Sequence, residues 1–510
     1  MSNQSTSLSG RKILVTAYDL EQSEHRGIAV YTKALIHCLR RAGAEVWLLT
    51  EFHESLNGSG LKILPASNRA IIRNAKTLNF LAHGHKSKPA SLLQRKLGLA
   101  KLFKLLGKGT ELIIEILRRP RHYRQHNLRT FQLEQLFDSP YPRMERLSYL
   151  KDLEGIVCAP NIFLATQVAA NMQQQKPVRI DLREFDVLLT SCPLNLIPDH
   201  VPTFVQTVHD LIPLEFVAHN EDPLMFSHRL QACLPARRLF VSQSTATKFD
   251  RHVKNVHHKI NTKQAVIVQP PSLRFPSWLT ADPERISDMK PATYLLRNDD
   301  IETNLIDKMP PNHEPIRKNS KGLYPFRYFL FNSSVEARKN LLFLAQAYAE
   351  SDLSQLGIQL CVTGKLKGDD YSKAVQNIVK NEPGILLTGY VDESTKLDLY
   401  LNALGLVSPS LVEGFGIPVL DSACLGMPTI ASDCESHREI QAIKDFQKSV
   451  ITLDTLKSRN WAAAMQAVAG LNSNLWEDAA TERKRRIGRY EPLRKAFYDQ
   501  LQKDLENILN

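Results

Sequence analysis

An apolar run, a loop, a helix closed by glycine and a second apolar run follow one another near the start of the chain, and few folds accept that order. Ile13-Leu14-Val15-Thr16 leads into a loop that ends at Gly27. Beyond it Ile28, Tyr31, Leu35 and Leu39 recur at helical spacing. Gly43 suits a helix C-terminus, and Val46-Trp47-Leu48-Leu49-Thr50 reads as a second buried strand. Strand, helix and strand in this order form a βαβ unit, which requires a parallel sheet. The alternation resumes at Val187-Leu188-Leu189-Thr190, then at Phe204 to Val208, Leu239 to Val241 and Ala265 to Val268.

The pattern fails between Pro270 and Pro325, where nine prolines fall among Asn-Asp-Asp and Pro-Pro-Asn turn signals. Such proline density stiffens a linker and does not build a core. Beyond it a second alternating set runs through Tyr328 to Phe331, Leu360 to Thr363, Ile385 to Thr388, Leu406 to Ser408 and Thr429 to Ala431. A chain of 510 residues is long for one core, so two domains are expected. The expected division is an N-terminal domain over 1–270 with a basic insertion at about 66–130, a linker over 271–325 and a second domain over 326–485. A polar helix over 486–510 closes the chain and is placed to cross back to the first domain. In open parallel sheets ligands sit at the carboxyl ends of the strands. The loops after the strands are therefore where chemistry is sought.

Charge is uneven along the chain. Ala66 to Thr130 holds 15 Lys or Arg against Glu111 and Glu115, which accounts for the whole formal charge of +12. The seven cysteines are scattered without a C-x-x-C pair, and several lie in apolar runs, so buried thiols in a reducing compartment are expected. Neither an apolar leader nor a run of about 18 apolar residues is present, and a cytoplasmic protein is the expectation.

Two loops stand out. In Ser408-Pro409-Ser410-Leu411-Val412-Glu413-Gly414-Phe415-Gly416-Ile417-Pro418 a strand ends, glycines follow and a helix begins near Pro418. Glycine lets backbone approach a ligand, and helix N-terminal amides favour an anion such as diphosphate. Glu413 in the loop and Asp421 in the helix are carboxylates suited to sugar or ribose hydroxyls; a turn with a solvated acid is the plainer alternative. In the second loop, Arg338-Lys339 stands directly before a leucine-rich helix, where cations oppose the helix dipole. A pair that breaks a local rule points to function, here to holding a diphosphate. A chance exposed basic pair is the alternative.

These residues resemble the signature of glycosyltransferase family 4. The resemblance rests on Glu-Gly-Phe-Gly-Ile-Pro-Val-Leu-Asp with Gly-Met-Pro after it, on Glu-x-Arg-Lys-Asn, and on Gly389-Tyr390-Val391 with Tyr400. In the first half Gly27 to Tyr31 and Val208-His209-Asp210-Leu211-Ile212-Pro213 extend it. It covers nearly all of 326–440 and scattered parts of 11–270. It implies an α/β protein of the GT-B type, two doubly wound Rossmann-like domains facing a central cleft, that moves a hexose with retention from a nucleoside-diphosphate sugar to a glycan or lipid-linked acceptor. By resemblance, Arg338 and Lys339 bind the donor diphosphate and Glu413 contacts the donor sugar. The Gly414, Phe415, Gly416 and Ile417 backbone faces sugar and phosphates, and Gly27 admits the diphosphate from the opposite domain. His209 lies beside the reacting carbon; a structural hydrogen-bonded histidine is its alternative. Asp421 takes the ribose position, where the family usually has Glu, with about 1.5 Å less reach.

The resemblance further implies that no metal or other cofactor is needed. The two cations replace a metal, the departing diphosphate takes the acceptor proton, and no enzymatic nucleophile is named. The Glu-x-Arg-Lys-Asn form favours mannose from GDP-mannose, with UDP-glucose or another hexose donor close behind. A catalytically impaired nucleotide-sugar-binding member and a dinucleotide-binding oxidoreductase are the competing classes; the latter lacks G-x-G-x-x-G after the first strand.

Within Ser91 to Leu117 one helical face carries Leu92, Leu99, Leu102, Phe103 and Leu106, and Lys101, Lys104 and Lys108 lie opposite. Such a helix either docks on an anionic membrane at the inner face or packs on the first domain with its lysines solvated. Nucleic acid is not expected as a partner, since the segment has few aromatics and no recognisable module.

Overall fold

The computed structural model describes residues 7–22, 27–52, 64–84, 122–125, 128–133, 147–171, 177–216, 221–253, 261–288, 293–295, 302–304, 322–364, 366, 368–475 and 477–510. Ser91 to Leu117, with its amphipathic pattern, lies outside these residues, as does Arg26 beside Gly27.

Both halves are doubly wound. In the first, the neighbouring strands run Gln264–Val266, Arg237–Phe240, Thr203–Val208, Val187–Thr190, Lys12–Thr16, Glu45–Thr50, Gly155–Cys158 and Arg129–Gln132. All pairs are parallel except the last, Arg129–Gln132 against Gly155–Cys158. A small parallel sheet of His122–Tyr123, Val178–Asp181 and Leu196–Asp199 lies beside it. In the second half the order is Ile385–Gly389, Gln359–Thr363, Tyr328–Asn332, Gly405–Ser408, Thr429–Ser432 and Val450–Leu453, all parallel. That is the 3-2-1-4-5-6 order of dinucleotide-binding folds, with its topological switch point between Tyr328–Asn332 and Gly405–Ser408. The first sheet reverses direction in the same way between Lys12–Thr16 and Val187–Thr190.

The strands expected in the two alternating sets are all present. Strand Gly155–Cys158 is fully buried, and Trp47 presses so close to Gly155 that a Cβ there would lie 2.4 Å from the indole. In the basic insertion, Ala66–His83 is a helix whose Leu78 and Leu81 join the core. The proline-rich segment, read from the sequence as a linker, carries secondary structure of its own. It contains the helix Ser277–Ala281, a 3₁₀ turn at Pro283–Asp288 and an antiparallel pair of Thr293–Leu295 with Glu302–Asn304. Leu273, Leu279 and Ile286 from it are buried in the core, because proline fixes φ without preventing its neighbours from packing.

One helix, Ala479–Leu509, ends the chain, so the expected division at 485/486 falls inside it. It runs through Pro492 and reaches the first domain. There Cys38 Sγ donates to the Tyr498 carbonyl, Arg41 pairs with Asp499 at 2.7 Å, and Arg11 donates to the Leu509 carbonyl at 3.0 Å. All seven cysteines are buried free thiols. Among the described residues no helix is long and apolar enough to cross a membrane.

Candidate active site

The two loops at the switch point of the second sheet meet. Strand Tyr328–Asn332 ends, and after a short extended stretch Ala337–Lys339 makes a 3₁₀ turn closed by Asn340 in the left-handed region at φ +56°. Asn tolerates that conformation better than most residues. The turn sends Arg338 and Lys339 towards the loop after Gly405–Ser408, and the Leu411 N–H donates to the Arg338 carbonyl at 2.8 Å. Lys339 is 6% exposed and donates to Glu413 Oε1. Arg338 reaches Glu413 Oε2 at 3.4 Å and Glu336 Oε2 at 3.0 Å. Burial opposes ionisation of Glu413, yet Lys339 and Arg338 hold its pKa down at about 2. Burial lowers the pKa of Lys339 from its ordinary range against the pull of Glu413. The corner is thus a partly buried cluster of two cations and two carboxylates, with Lys339 its most buried member.

The glycines are set by contacts. Gly416 caps helix Ile417–Leu425 at φ +104°, and a Cβ there would lie 2.9 Å from the His437 ring. At Gly414 a Cβ would come within 2.6 Å of the His209 carbonyl oxygen in the other domain. Phe415 is buried, and Ile417 Cδ1 would lie 3.3 Å from a Cβ on Gly27. Gly27 and Gly414 are therefore points of close approach between the two domains, and Gly416 lies against His437 of its own domain. The helix Ile417–Leu425 opens at this junction with its amide end free of any side-chain cap, which leaves donors for an anion.

His209 ends strand Thr203–Val208. Its Nε2 lies 2.8 Å from the Ser191 carbonyl and must be the donor, leaving Nδ1 the acceptor. Burial pushes its pKa down to about 4, so the imidazole is neutral at ordinary pH. It sits edge-on to Tyr31 at 5.3 Å.

Asp421, expected at the ribose position, is bound by protein groups in the structure. The side chain is 1% exposed. Its Oδ1 accepts from the Ser272 N–H at 2.6 Å and from the Tyr490 hydroxyl at 2.7 Å, and its Oδ2 accepts from Ser272 Oγ at 2.5 Å. A carboxylate offers about four acceptor positions, and three are filled by protein. Asp421 thereby ties helix Ile417–Leu425 to the proline-rich segment and the C-terminal helix.

Sequence reasoning passed over the loop after Thr429–Ser432. Ser436 Oγ donates to the Glu413 carbonyl at 2.9 Å, and the buried His437 lies beneath Gly416 with Nδ1 at 3.1 Å from the Ser432 carbonyl. Glu439 accepts from the Gln243 N–H at 2.9 Å and from the Ser244 N–H, capping helix Gln243–Val253 of the opposite domain. Ser242 Oγ donates to the Gly414 carbonyl at 2.8 Å. The signal was present in Asp433-Cys434-Glu435-Ser436-His437, a polar run directly after a buried strand.

The fold is that of GT-B proteins. It superposes on sucrose-phosphate synthase from Thermosynechococcus elongatus with a TM-score of 0.50 and 14% identity, covering 98% of this chain and 99% of that one. Residues 314–470 match the family of glycosyl transferases group 1, and the corner built by Arg338, Lys339 and Glu413 lies inside that domain. The sequence is also similar to O-antigen chain mannosyltransferase B of Escherichia coli, 27% identical over 159 residues. That alignment takes in 31% of this chain, and the chain spans 40% of that relative's length.

Proposed function

We propose that the protein is a retaining glycosyltransferase that moves a hexose, with mannose favoured, from a nucleoside-diphosphate sugar to a glycan or lipid-linked acceptor. The observation that carries this reading is the cluster of Arg338, buried Lys339 and Glu413 beside the uncapped amide end of helix Ile417–Leu425. A departing nucleoside diphosphate gains negative charge as its bond to the sugar breaks. Two fixed cations and oriented helix amides stabilise that charge without reorganising. In this reading Glu413 releases part of its hold on Lys339 and accepts hydroxyls of the donor sugar. The acceptor oxygen bonds to the anomeric carbon on the face the diphosphate leaves, and the acceptor proton passes to the phosphate oxygen. Neither a metal nor an enzymatic nucleophile takes part.

Mannose is favoured by the Glu-x-Arg-Lys-Asn form and by the similarity to a mannosyltransferase over 159 residues. His209 lies at the cleft as a neutral group able to accept a hydrogen bond at Nδ1. The test is a screen of GDP-mannose, UDP-glucose and other sugar nucleotides for binding and turnover. Tightest binding of GDP and preferred turnover of GDP-mannose support the mannose reading, and preference for a uridine donor overturns it.

A further inference from the structure

The first sheet has its own switch point, and the side chains there have no role so far. Strand order runs outward in both directions from Lys12–Thr16 and Val187–Thr190. Loops leaving their carboxyl ends diverge and open a crevice where ligands bind in sheets of this type. Asp19 lies on the first of these loops and Ser191 begins the second. Ser191 Oγ donates to Asp19 Oδ2 at 2.7 Å, and the Ser191 N–H donates to Thr16 Oγ1 at 3.0 Å. The Ser191 carbonyl in turn accepts from His209 Nε2, and the His209 carbonyl is the group against which Gly414 packs. A polar chain therefore runs from Asp19 through Ser191 and His209 to the donor loop.

Other acids on this edge are committed to the protein. Glu21 is fully buried and accepts from Thr50 Oγ1 and the Glu51 N–H, while Glu51 accepts from the Leu164 N–H at 3.0 Å. Asp210 accepts from the Ile212 N–H at 3.1 Å and faces Arg338. Asp19 is partly exposed and is held by the Ser191 hydroxyl, with the Arg229 charge favouring its ionised form from farther off.

We propose that Asp19, oriented by Ser191, binds the acceptor: its carboxylate accepts a hydrogen bond from a sugar hydroxyl next to the one that attacks. This rests on the glycosyltransferase reading and adds an acceptor subsite to it. The bond made is acceptor oxygen to anomeric carbon, the bond broken is anomeric carbon to phosphate oxygen, and that oxygen receives the proton. Asp19 positions the acceptor and keeps no proton from it. Burial holds the Asp19 carboxyl up at about 7, with Tyr18 and Cys192 on the same two loops and Arg229 of helix Pro223–Ala232, itself bridged to Glu221, as the titratable and charged groups around it. Only the ionised carboxylate accepts hydrogen bonds at both oxygens, so acceptor binding strengthens as pH rises through about 7.

The test supplies the full chain with the sugar nucleotide it turns over and with the methyl glycosides of mannose, glucose and galactose as acceptors. The Asp19→Asn variant should raise the acceptor KM by about 10–100-fold, the equivalent of one charged hydrogen bond. Its KM should no longer fall between pH 6 and 8 as the parent's does. Ser191→Ala should shift KM in the same direction by less. A KM for Asp19→Asn within twofold of the parent, or an unchanged pH profile, overturns the proposal. Transfer by the parent to none of the glycosides, while donor is still consumed with water, also overturns it. A parent that consumes no sugar nucleotide refutes the enzymatic reading instead.

Discussion

Lys339 and Glu413 form the tightest unit of the site, and each depends on the other. Lys339 is almost fully buried and its ammonium has Glu413 as its salt-bridge partner. Replacing Glu413 by Gln leaves a buried charge uncompensated, at a cost of about 3–5 kcal/mol. Chemical denaturation of Glu413→Gln should show a loss of that order unless Lys339 sheds its proton, which the pH dependence of the variant would reveal. The native pair has a defined acid limit. The folded pKa of Glu413 lies below its ordinary value, so the stabilisation is complete above about pH 4.5 and is lost as pH falls towards 2. Gly414 makes a second residue-scale prediction. A methyl group there meets the His209 carbonyl at 2.6 Å, so Gly414→Ala forces the domains apart. Donor turnover should fall sharply while each half keeps its secondary structure by circular dichroism, and undiminished turnover would show that this approach is dispensable.

Among the elements, the helix Ile417–Leu425 is held at two places. Its start meets the cleft, and Asp421 on its next turn is tied to Ser272 and Tyr490. Asp421→Ala should therefore act on folding: it strands the Ser272 N–H and the Tyr490 hydroxyl in the core and costs about 1–3 kcal/mol. Asp421→Glu, which a ribose role would tolerate, adds a methylene to a filled site and should also destabilise, by about 1–3 kcal/mol. Thermal unfolding with and without nucleotide checks both. A stable Asp421→Glu variant with tighter nucleotide binding would restore the ribose role.

The sequence made the parallel strands legible because their apolar runs are buried on both faces and bounded by turn residues. It made Arg338 and Lys339 stand out because cations before a helix oppose its dipole, and Glu413 because it lies in a glycine-rich loop between a strand and a helix. Strand Gly155–Cys158 is not legible from periodicity, although Ile156-Val157-Cys158 lies between Gly155 and Pro160. It sits in a stretch where charge and irregular spacing hid the period. The partners of Asp421 were not legible, since Ser272 and Tyr490 lie 149 and 69 residues away. No local pattern encodes such a contact.

At the scale of the whole molecule, the two sheets present their switch points to one cleft, and links from several elements join the halves. Glu439 caps the helix Gln243–Val253, Lys248 bridges Glu215 at 2.8 Å and Glu435 at 3.4 Å, and the C-terminal helix packs on the first domain. Glu439→Ala removes the cap across the cleft and should weaken closure, raising the donor KM more than it lowers folding stability. Steady-state kinetics beside a denaturation curve separates the two, and a loss seen only in denaturation would make the contact structural. The proposed chemistry depends most of all on a diphosphate leaving group stabilised by protein cations. Turnover of sugar nucleotides by the parent and by Lys339→Ala, each with and without EDTA, tests that claim directly. The parent should keep its turnover in EDTA, and Lys339→Ala should lose about 2–4 kcal/mol of transition-state stabilisation, roughly 10²–10³ in rate. Full activity in Lys339→Ala, or abolition of the parent's turnover by EDTA, would contradict it.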